Sequence, residues 1–180
     1  MKFINIVGNM ASGKTTFSRQ LAQTLKLTRI EMDDLFWLDN WQETPDDEFV
    51  LKLQHKMDTA KEGWVLDGNY SRTLDLKLAK LDTMIWLDYS FSLNFYRSVK
   101  RAISRAISQE ALWKSSNNRE SFRRSFLSQE SIILWMIKHH SKNRKKYLNM
   151  MQNPAYQHIQ FIRLTSPKQT VDFLKKVGGM

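Results

Sequence analysis

The chain has 180 residues and no cysteine, which suits one domain with a buried core and excludes disulfide bonds and thiolate metal sites. Its net charge of +10 is concentrated in residues 91–180, which contain 17 Lys and Arg but only 4 Asp and Glu. A nucleic acid or a polyphosphate would therefore suit the chain as a partner. No apolar run approaches the length of a membrane span, and the first motif begins within ten residues of the start, so we expect a cytoplasmic protein without a signal peptide.

Short apolar runs alternate with longer periodic stretches along the whole chain. This alternation predicts an α/β fold in three layers, with a parallel sheet between crossover helices. No linker divides residues 1–180, so we expect a single domain. The predicted strands are 3–7, 28–32, 63–67, 83–88 and 158–164. The predicted helices are 13–25, 46–62, 73–80, 92–109, 129–151 and 167–176.

A phosphate-binding loop follows the first predicted strand. Residues 8–15 match the pattern G-x-x-x-x-G-K-[ST] without departure, and they lie between a strand and a helix, as this motif requires. A plain glycine-rich turn is the alternative, but such a turn requires neither the lysine nor the threonine. The residues predicted to bind the nucleotide phosphates are Gly8, Asn9, Met10, Ala11, Ser12, Gly13, Lys14, Thr15 and Thr16.

The residue types in this loop indicate a nucleoside triphosphate and Mg²⁺ as ligands. Gly8 and Gly13 allow backbone angles that bring main-chain N–H groups close to an anion. Lys14 would reach the β- and γ-phosphates as a catalytic residue, and the Thr15 hydroxyl would take a place on Mg²⁺. The positive end of the following helix points at the same anion.

An acidic turn follows the second predicted strand. Residues 31–34 read Glu-Met-Asp-Asp and would lie at the carboxyl edge of the sheet, beside the phosphate-binding loop. Asp33 is the predicted catalytic carboxylate, which would accept a proton from a substrate hydroxyl or order Mg²⁺ through water. The alternative is that Asp33 or Asp34 caps the next helix. Trp37 and Trp41 follow, and they either line an acceptor pocket or pack in the core.

Two later strands each end in an aspartate that would be able to support the metal. Asp67 ends the third strand and Asp88 ends the fourth, and an apolar strand ending in aspartate is usual in nucleoside triphosphatases. We favour Asp67, because Gly68 and Asn69 after it predict a tight turn suited to gripping a substrate. The tryptophans predicted to pack in the core are Trp64, Trp86, Trp113 and Trp135.

The second half of the chain carries two groups of arginines. Arg97, Arg101 and Arg105 share one face of a predicted helix, and they either bind phosphate or form a solvated basic face. Arg119 and Arg123 lie in the polar stretch 110–126, and we expect them to stabilise charge on the transferring phosphoryl group. A basic run at 139–146 is similar to a patch that binds nucleic acid, although such runs mostly lie on exposed surfaces without a binding role.

Several runs together make the chain resemble the P-loop small-molecule kinases, the group of adenylate and shikimate kinases. In chain order these runs are 8–16, 33–37, 64–70, 82–88, 118–123 and 131–135. More specifically, the chain resembles the adenylate-kinase-like proteins known as DNA topology modulation (FlaR-related) proteins. The resemblance implies a five-stranded parallel sheet in the order 2-3-1-4-5. It also implies an acceptor-binding segment at about 34–62 and a mobile lid at about 110–126.

One stretch departs from the adenylate kinase pattern. Adenylate kinases have Asp-Gly-Phe-Pro-Arg after the third strand, whereas residues 67–72 here read Asp-Gly-Asn-Tyr-Ser-Arg. The proline is missing and the arginine is displaced by one position, so the resemblance does not extend to AMP as the acceptor.

These features together predict an ATP- and Mg²⁺-dependent phosphotransferase that acts on a nucleotide, a nucleoside or another small hydroxylated metabolite. The alternative is a nucleotide-controlled nucleic-acid-binding protein that uses its basic second half. A weaker alternative is an ATPase without an acceptor.

Overall fold

The computed structural model describes residues 1–108, 113, 116–119 and 131–179. One parallel sheet of five strands, in the order β2-β3-β1-β4-β5, forms its centre. The strands are β1 (Phe3–Gly8), β2 (Thr28–Glu31), β3 (Trp64–Asp67), β4 (Thr83–Leu87) and β5 (Gln160–Leu164). The helices are α1 (Lys14–Leu25), α2 (Met32–Phe36), α3 (Asp46–Thr59), α4 (Leu74–Leu78), α5 (Phe91–Ser108), α6 (Ile132–Gln152) and α7 (Pro167–Gly178). Within the described ranges, no helix is long and apolar enough to cross a bilayer.

Separate apolar clusters cover the two faces of the sheet. Strands β3 and β4 are buried along their whole length, as expected for parallel strands with helices on both sides. Trp64 and Val65 are adjacent in β3 but belong to opposite clusters, because successive side chains of a strand alternate between its faces. Val65 packs with Phe17 of α1, and Trp64 belongs to the cluster that contains Phe49 of α3.

The predicted fold class and strand order are confirmed. Strand β1 pairs with β3 on one side and with β4 on the other, so Ile6 lies between Asp67 and Ile85. The loop that follows β1 therefore emerges from the middle of the sheet, with the turn after β3 directly beside it. This position is where ligands bind in open α/β sheets.

Several predicted boundaries differ from the observed ones. Strand β2 ends at Glu31 rather than at residue 32, because Met32 begins α2, a helix that was not predicted. Helix α3 ends at Thr59 rather than at residue 62, and the chain then turns so that the Gly63 N–H donates to the Ala60 carbonyl. Helix α6 begins at residue 132 rather than 129, after a residue whose side chain caps it.

Candidate active site

The phosphate-binding loop lies at the carboxyl end of the central strand. Gly8 ends β1 with φ of 155°, and a Cβ at this position would lie only 2.7 Å from the Leu87 carbonyl oxygen. Gly13 has φ of 91°, a conformation that side chains rarely adopt, and it precedes α1 as its N-cap residue. The backbone geometry thus explains both glycines of the motif.

Polar groups converge on this loop. The first-turn N–H groups of a helix have no acceptor within the helix, and the N-cap residue of α1 is Gly13, which has no side chain to cap them. Lys14 lies over the loop, and its Nζ donates to the carbonyl oxygens of Gly8 and Asn9, each at 3.0 Å. The Ser12 hydroxyl and the Asn9 amide nitrogen are buried with no hydrogen-bond partner in the part of the chain that the structure describes. The N–H groups at the start of α1 and the Lys14 ammonium group, which line the cleft, fit the oxygen atoms of a polyphosphate.

A side-chain clamp joins the turn after β3 to the phosphate-binding loop. Asn69 Oδ1 accepts a hydrogen bond from the Gly8 N–H at 3.0 Å, and Asn69 Nδ2 donates to the Gly8 carbonyl oxygen at 2.8 Å. Behind the turn, the buried Lys77 donates from Nζ to the Tyr70 carbonyl oxygen at 2.9 Å. The Asn69 amide thus holds the loop, and the predicted role of this turn in gripping a substrate stays a prediction.

Of the two aspartates predicted to support a metal, Asp67 lines the cleft that the loop borders. Asp67 Oδ2 accepts hydrogen bonds from Ser18 Oγ at 3.2 Å and from Arg29 Nη2 at 3.0 Å. Asp88 is buried away from the cleft, and its Oδ2 accepts two hydrogen bonds from Arg163, at 2.9 and 2.5 Å. This placement favours Asp67 over Asp88 for a metal in the cleft.

Mg²⁺ beside a nucleotide takes most of its ligands from phosphates and water, so few protein ligands are needed. Among the residues that the structure describes, no group of three or more His, Asp or Glu side chains could hold a metal by itself. Thr15 is exposed at the start of α1, and Asp67 lines the same cleft. A hydroxyl and a carboxylate would suffice as protein ligands of Mg²⁺ beside a nucleotide. The role of Thr15 and Asp67 as these ligands stays a prediction.

Asp33 is a half-buried carboxylate in the same cleft. Tyr70 donates its hydroxyl to Asp33 Oδ1 at 2.5 Å. Burial raises the pKa of Asp33, and the hydrogen bond from Tyr70 partly opposes this rise. Asp33 does not cap α2, because the N-cap residue is Glu31. A carboxylate with a raised pKa is suited to accept a proton near neutral pH.

Three half-buried tryptophans form one wall of the cleft, here called the tryptophan wall (Trp37, Trp41 and Trp113). The rings of Trp37 and Trp113 stack at 17° with their centroids 6.1 Å apart. Trp41 packs edge-on against each of them at 5.7 Å. Trp37 and Trp41 thus line the cleft, and Trp113 both packs against them and lines it. Trp64 and Trp86 are buried as predicted, and the side chain of Trp135 lies outside the described part.

The described part of the predicted lid contacts the predicted acceptor segment. Asn118 Oδ1 accepts a hydrogen bond from the Trp41 N–H, and Asn118 Nδ2 donates to the Leu38 carbonyl oxygen, both at 2.8 Å. Arg119 is exposed and is not among the described residues that line the cleft. Arg123 lies outside the described residues. The catalytic role of both arginines stays a prediction.

The arginines of α5 border the cleft. Arg97, Arg101 and Arg105 all line it together with the phosphate-binding loop, so they do not form a separate solvated face. Burial lowers the pKa of Lys14, the carboxylates of Asp67 and Asp33 oppose this, and Arg101 lowers it further.

The cleft has a volume of about 1930 Å³, which exceeds the roughly 300–1,000 Å³ of an ordinary ligand pocket. It has room for a nucleotide and a second small molecule.

Comparison with known proteins finds a likeness of fold. The unliganded crystal structure of a sugar kinase from Janibacter sp. HTCC2649 matches with a TM-score of 0.56 and 14% sequence identity, over 98% of this chain and 93% of that chain. No family model matches the sequence, and a search of curated proteins finds no significant match. At this identity the likeness shows a shared, kinase-like α/β fold.

Proposed function

We propose that this chain is an ATP- and Mg²⁺-dependent phosphotransferase that acts on a small hydroxylated molecule. The observation that carries the proposal is that Lys14 and Asp33 line one cleft and lie close enough for each to influence the pKa of the other. A phosphate-binding loop alone would suit any nucleoside triphosphatase. A half-buried carboxylate beside a tryptophan-lined wall suits transfer to an acceptor.

The phosphate-binding loop would form the donor half of the cleft. Residues 8–16 would bind the ATP phosphates through backbone N–H groups, and Lys14 would exchange its two carbonyl contacts for β- and γ-phosphate oxygens. The clamp from Asn69 would keep the loop in its binding shape. Thr15 and Asp67 would hold Mg²⁺, which offsets negative charge on the phosphate oxygens.

Asp33 would form the acceptor half together with Tyr70. The acceptor hydroxyl would give its proton to Asp33 while its oxygen forms a bond to the terminal phosphorus and ADP leaves. Arg101, with Arg119 and Arg123 of the predicted lid, would stabilise charge at the transferring group. The apolar tryptophan wall would limit the access of water, which favours transfer over hydrolysis.

The test is phosphoryl transfer from ATP to a panel of nucleosides, nucleoside monophosphates and sugars. Lys14→Ala should reduce transfer by about a hundredfold or more, since it removes a charge aimed at the transferring phosphoryl group. Lys145→Ala is the matched control, because Lys145 is exposed on α6. Wild-type turnover by Lys14→Ala would contradict the proposal. ATP hydrolysis that no acceptor stimulates would point to the ATPase alternative.

The exposed lysines of α6 support a second candidate, a nucleotide-controlled nucleic-acid-binding protein. The exposed lysines on this helix are Lys138, Lys142 and Lys145. Arg144 is instead paired within the protein, since its Nε lies 3.3 Å from Asp88 Oδ2. Binding that depends on several phosphate contacts should weaken steeply as salt rises. A salt titration of DNA binding therefore tests this candidate, and no binding at low salt excludes it.

A further inference from the structure

Helix α5 carries large apolar side chains on its outer surface. Its buried side chains are small or polar, and they belong to Asn94, Ser98 and Ala102. Tyr96 and Ile107, by contrast, are 63% and 78% exposed. The large apolar side chains exposed on this helix are Phe91, Phe95, Tyr96, Ile103 and Ile107. A surface helix of a globular protein ordinarily turns its apolar side chains inward, so this arrangement indicates that another surface covers the outer side of α5.

Helix α6 extends the same apolar surface. The Phe91 ring packs edge-on against His140 of α6, with centroids 5.3 Å apart, and Phe95 stacks on Phe91 at 5.8 Å. Ile137 lies about one helical turn before His140, and Leu134 lies one turn further, and both are exposed. The exposed apolar side chains of α5 together with Leu134 and Ile137 are called the α5–α6 face here.

The α5–α6 face points away from the cleft. Arg101 of α5 and His139 of α6 line the cleft. Ile103 is two residues from Arg101, and Ile137 is two residues from His139. Two residues turn a helix by about 200°, which is to its opposite side. The face therefore does not belong to the candidate active site, and a partner bound to it would leave the cleft open.

The charges on these two helices are complementary to an anionic partner. All charged side chains of α5 and α6 are positive, because neither helix contains an aspartate or a glutamate. Lys100 is exposed between Tyr96 and Ile103 in sequence, and Lys138 is exposed next to Ile137. A second copy of this chain on the face would bring lysines towards lysines, and such like charges disfavour contact.

We propose that the α5–α6 face binds the surface of a membrane that contains anionic lipid. Helices that lie in the headgroup region combine an apolar, aromatic-containing face with lysine and arginine. The side chains of Phe95 and Ile103 would enter the boundary between headgroups and acyl chains. The ammonium groups of Lys100 and Lys138 would stay at the lipid phosphates. A nucleic acid would also attract the lysines, but it would leave the apolar side chains exposed to water.

Flotation of the full chain with lipid vesicles tests this proposal. One set of vesicles contains phosphatidylcholine alone, and the other contains about one third phosphatidylglycerol. At low salt the protein should bind the anionic vesicles about tenfold or more tightly than the neutral ones. Added salt should weaken this binding, because it screens the attraction between the lysines and the lipid phosphates.

Two double variants separate the apolar and the charged contributions. Ile103→Gln with Ile137→Gln removes apolar surface from both helices, and glutamine is a good helix former, so the fold should be kept. This variant should bind the anionic vesicles about tenfold more weakly. Lys100→Gln with Lys138→Gln should weaken binding about fivefold for each lysine and reduce its dependence on salt. Urea unfolding checks that each variant is folded.

Leu51→Gln on α3 and Lys175→Gln on α7 are the matched controls, because both residues are exposed on other helices, and they should bind like wild type. Absence of binding to anionic vesicles at low salt overturns the proposal, and so does unchanged binding by either double variant. A dimer that forms without lipid and is lost in the isoleucine variant, measured by analytical ultracentrifugation, would also overturn it, because a second copy would then cover the face. None of these measurements depends on phosphotransferase activity.

Discussion

Replacing Asn69 with alanine should loosen the phosphate-binding loop. The Asn69 amide makes two hydrogen bonds to the backbone of Gly8, at 3.0 and 2.8 Å. Each such bond contributes about 0.5–1.5 kcal/mol, so losing both should lower the free energy of unfolding by about 1–3 kcal/mol. Gly8 is buried, and even a Cβ there would lie 2.7 Å from the Leu87 carbonyl oxygen. Asn69 itself is half-buried and lines the cleft, so water can replace part of the lost hydrogen bonding, and we expect the lower half of this range.

The same change should weaken ATP binding. If all of this 1–3 kcal/mol is lost from the loop conformation that binds ATP, the ATP affinity falls about five- to 150-fold, since about 1.4 kcal/mol corresponds to a factor of ten. Asn69→Asp keeps an acceptor for the Gly8 N–H, loses the donor to the Gly8 carbonyl and adds a negative charge beside the phosphates. It should weaken ATP binding more than alanine does at low salt, and the extra loss should shrink at high salt.

Urea unfolding and calorimetric titration with ATP measure the two effects. Asn149→Ala is the matched control, because Asn149 is exposed on α6. An Asn69→Ala protein with the same unfolding free energy and ATP affinity as this control would refute the reasoning. A loss of stability without a loss of ATP affinity would mean that the clamp supports the fold and not the binding shape of the loop.

Two further predictions concern pH. Burial lowers the pKa of Lys77 from 10.5 to about 7. Between pH 7 and pH 10.5 the unfolded chain therefore holds a proton on Lys77 that the folded chain lacks. The free energy of unfolding should rise with pH over this range. Lys77→Met should flatten this rise in urea unfolding measured from pH 7 to alkaline pH, and an unchanged slope would contradict the assignment. Tyr70→Phe removes the hydrogen bond that lowers the pKa of Asp33, so the acidic limb of the kcat/KM profile should move to higher pH if Asp33 is the base. A limb at the wild-type position would exclude that role.

The glycines and the lysine of the phosphate-binding loop could be predicted from sequence because their function depends on local backbone geometry. Gly8 and Gly13 have the positive φ values that the motif implies, and the loop joins a strand to a helix as expected. The helix α2 was missed because it has only five residues and follows β2 without an intervening turn, so it has no periodic pattern of its own.

The partners of the polar side chains could not be predicted in the same way. The Asn69 clamp joins residues 61 positions apart, and the contact of Tyr70 with Asp33 joins residues 37 positions apart. Trp113 was predicted to pack in the core, yet it is half-buried and lines the cleft, where its ring stacks on Trp37. Such placements depend on the packing of distant segments.

The sequence by itself determined the α/β class, the parallel strands and the backbone shape of the loop at 8–13, because hydrophobic period and glycine conformation act over a few neighbouring residues. The tertiary structure decided which of two similar aspartates faces the cleft, which group holds the loop and where the tryptophans lie. Asp67 ends β3 and Asp88 directly follows β4, and it is the neighbours that folding brings to them, Arg29 in one case and Arg163 in the other, that distinguish their surroundings. The contacts of Asn69 with Gly8 and of Tyr70 with Asp33 likewise join distant parts of the chain, so only the folded structure shows them.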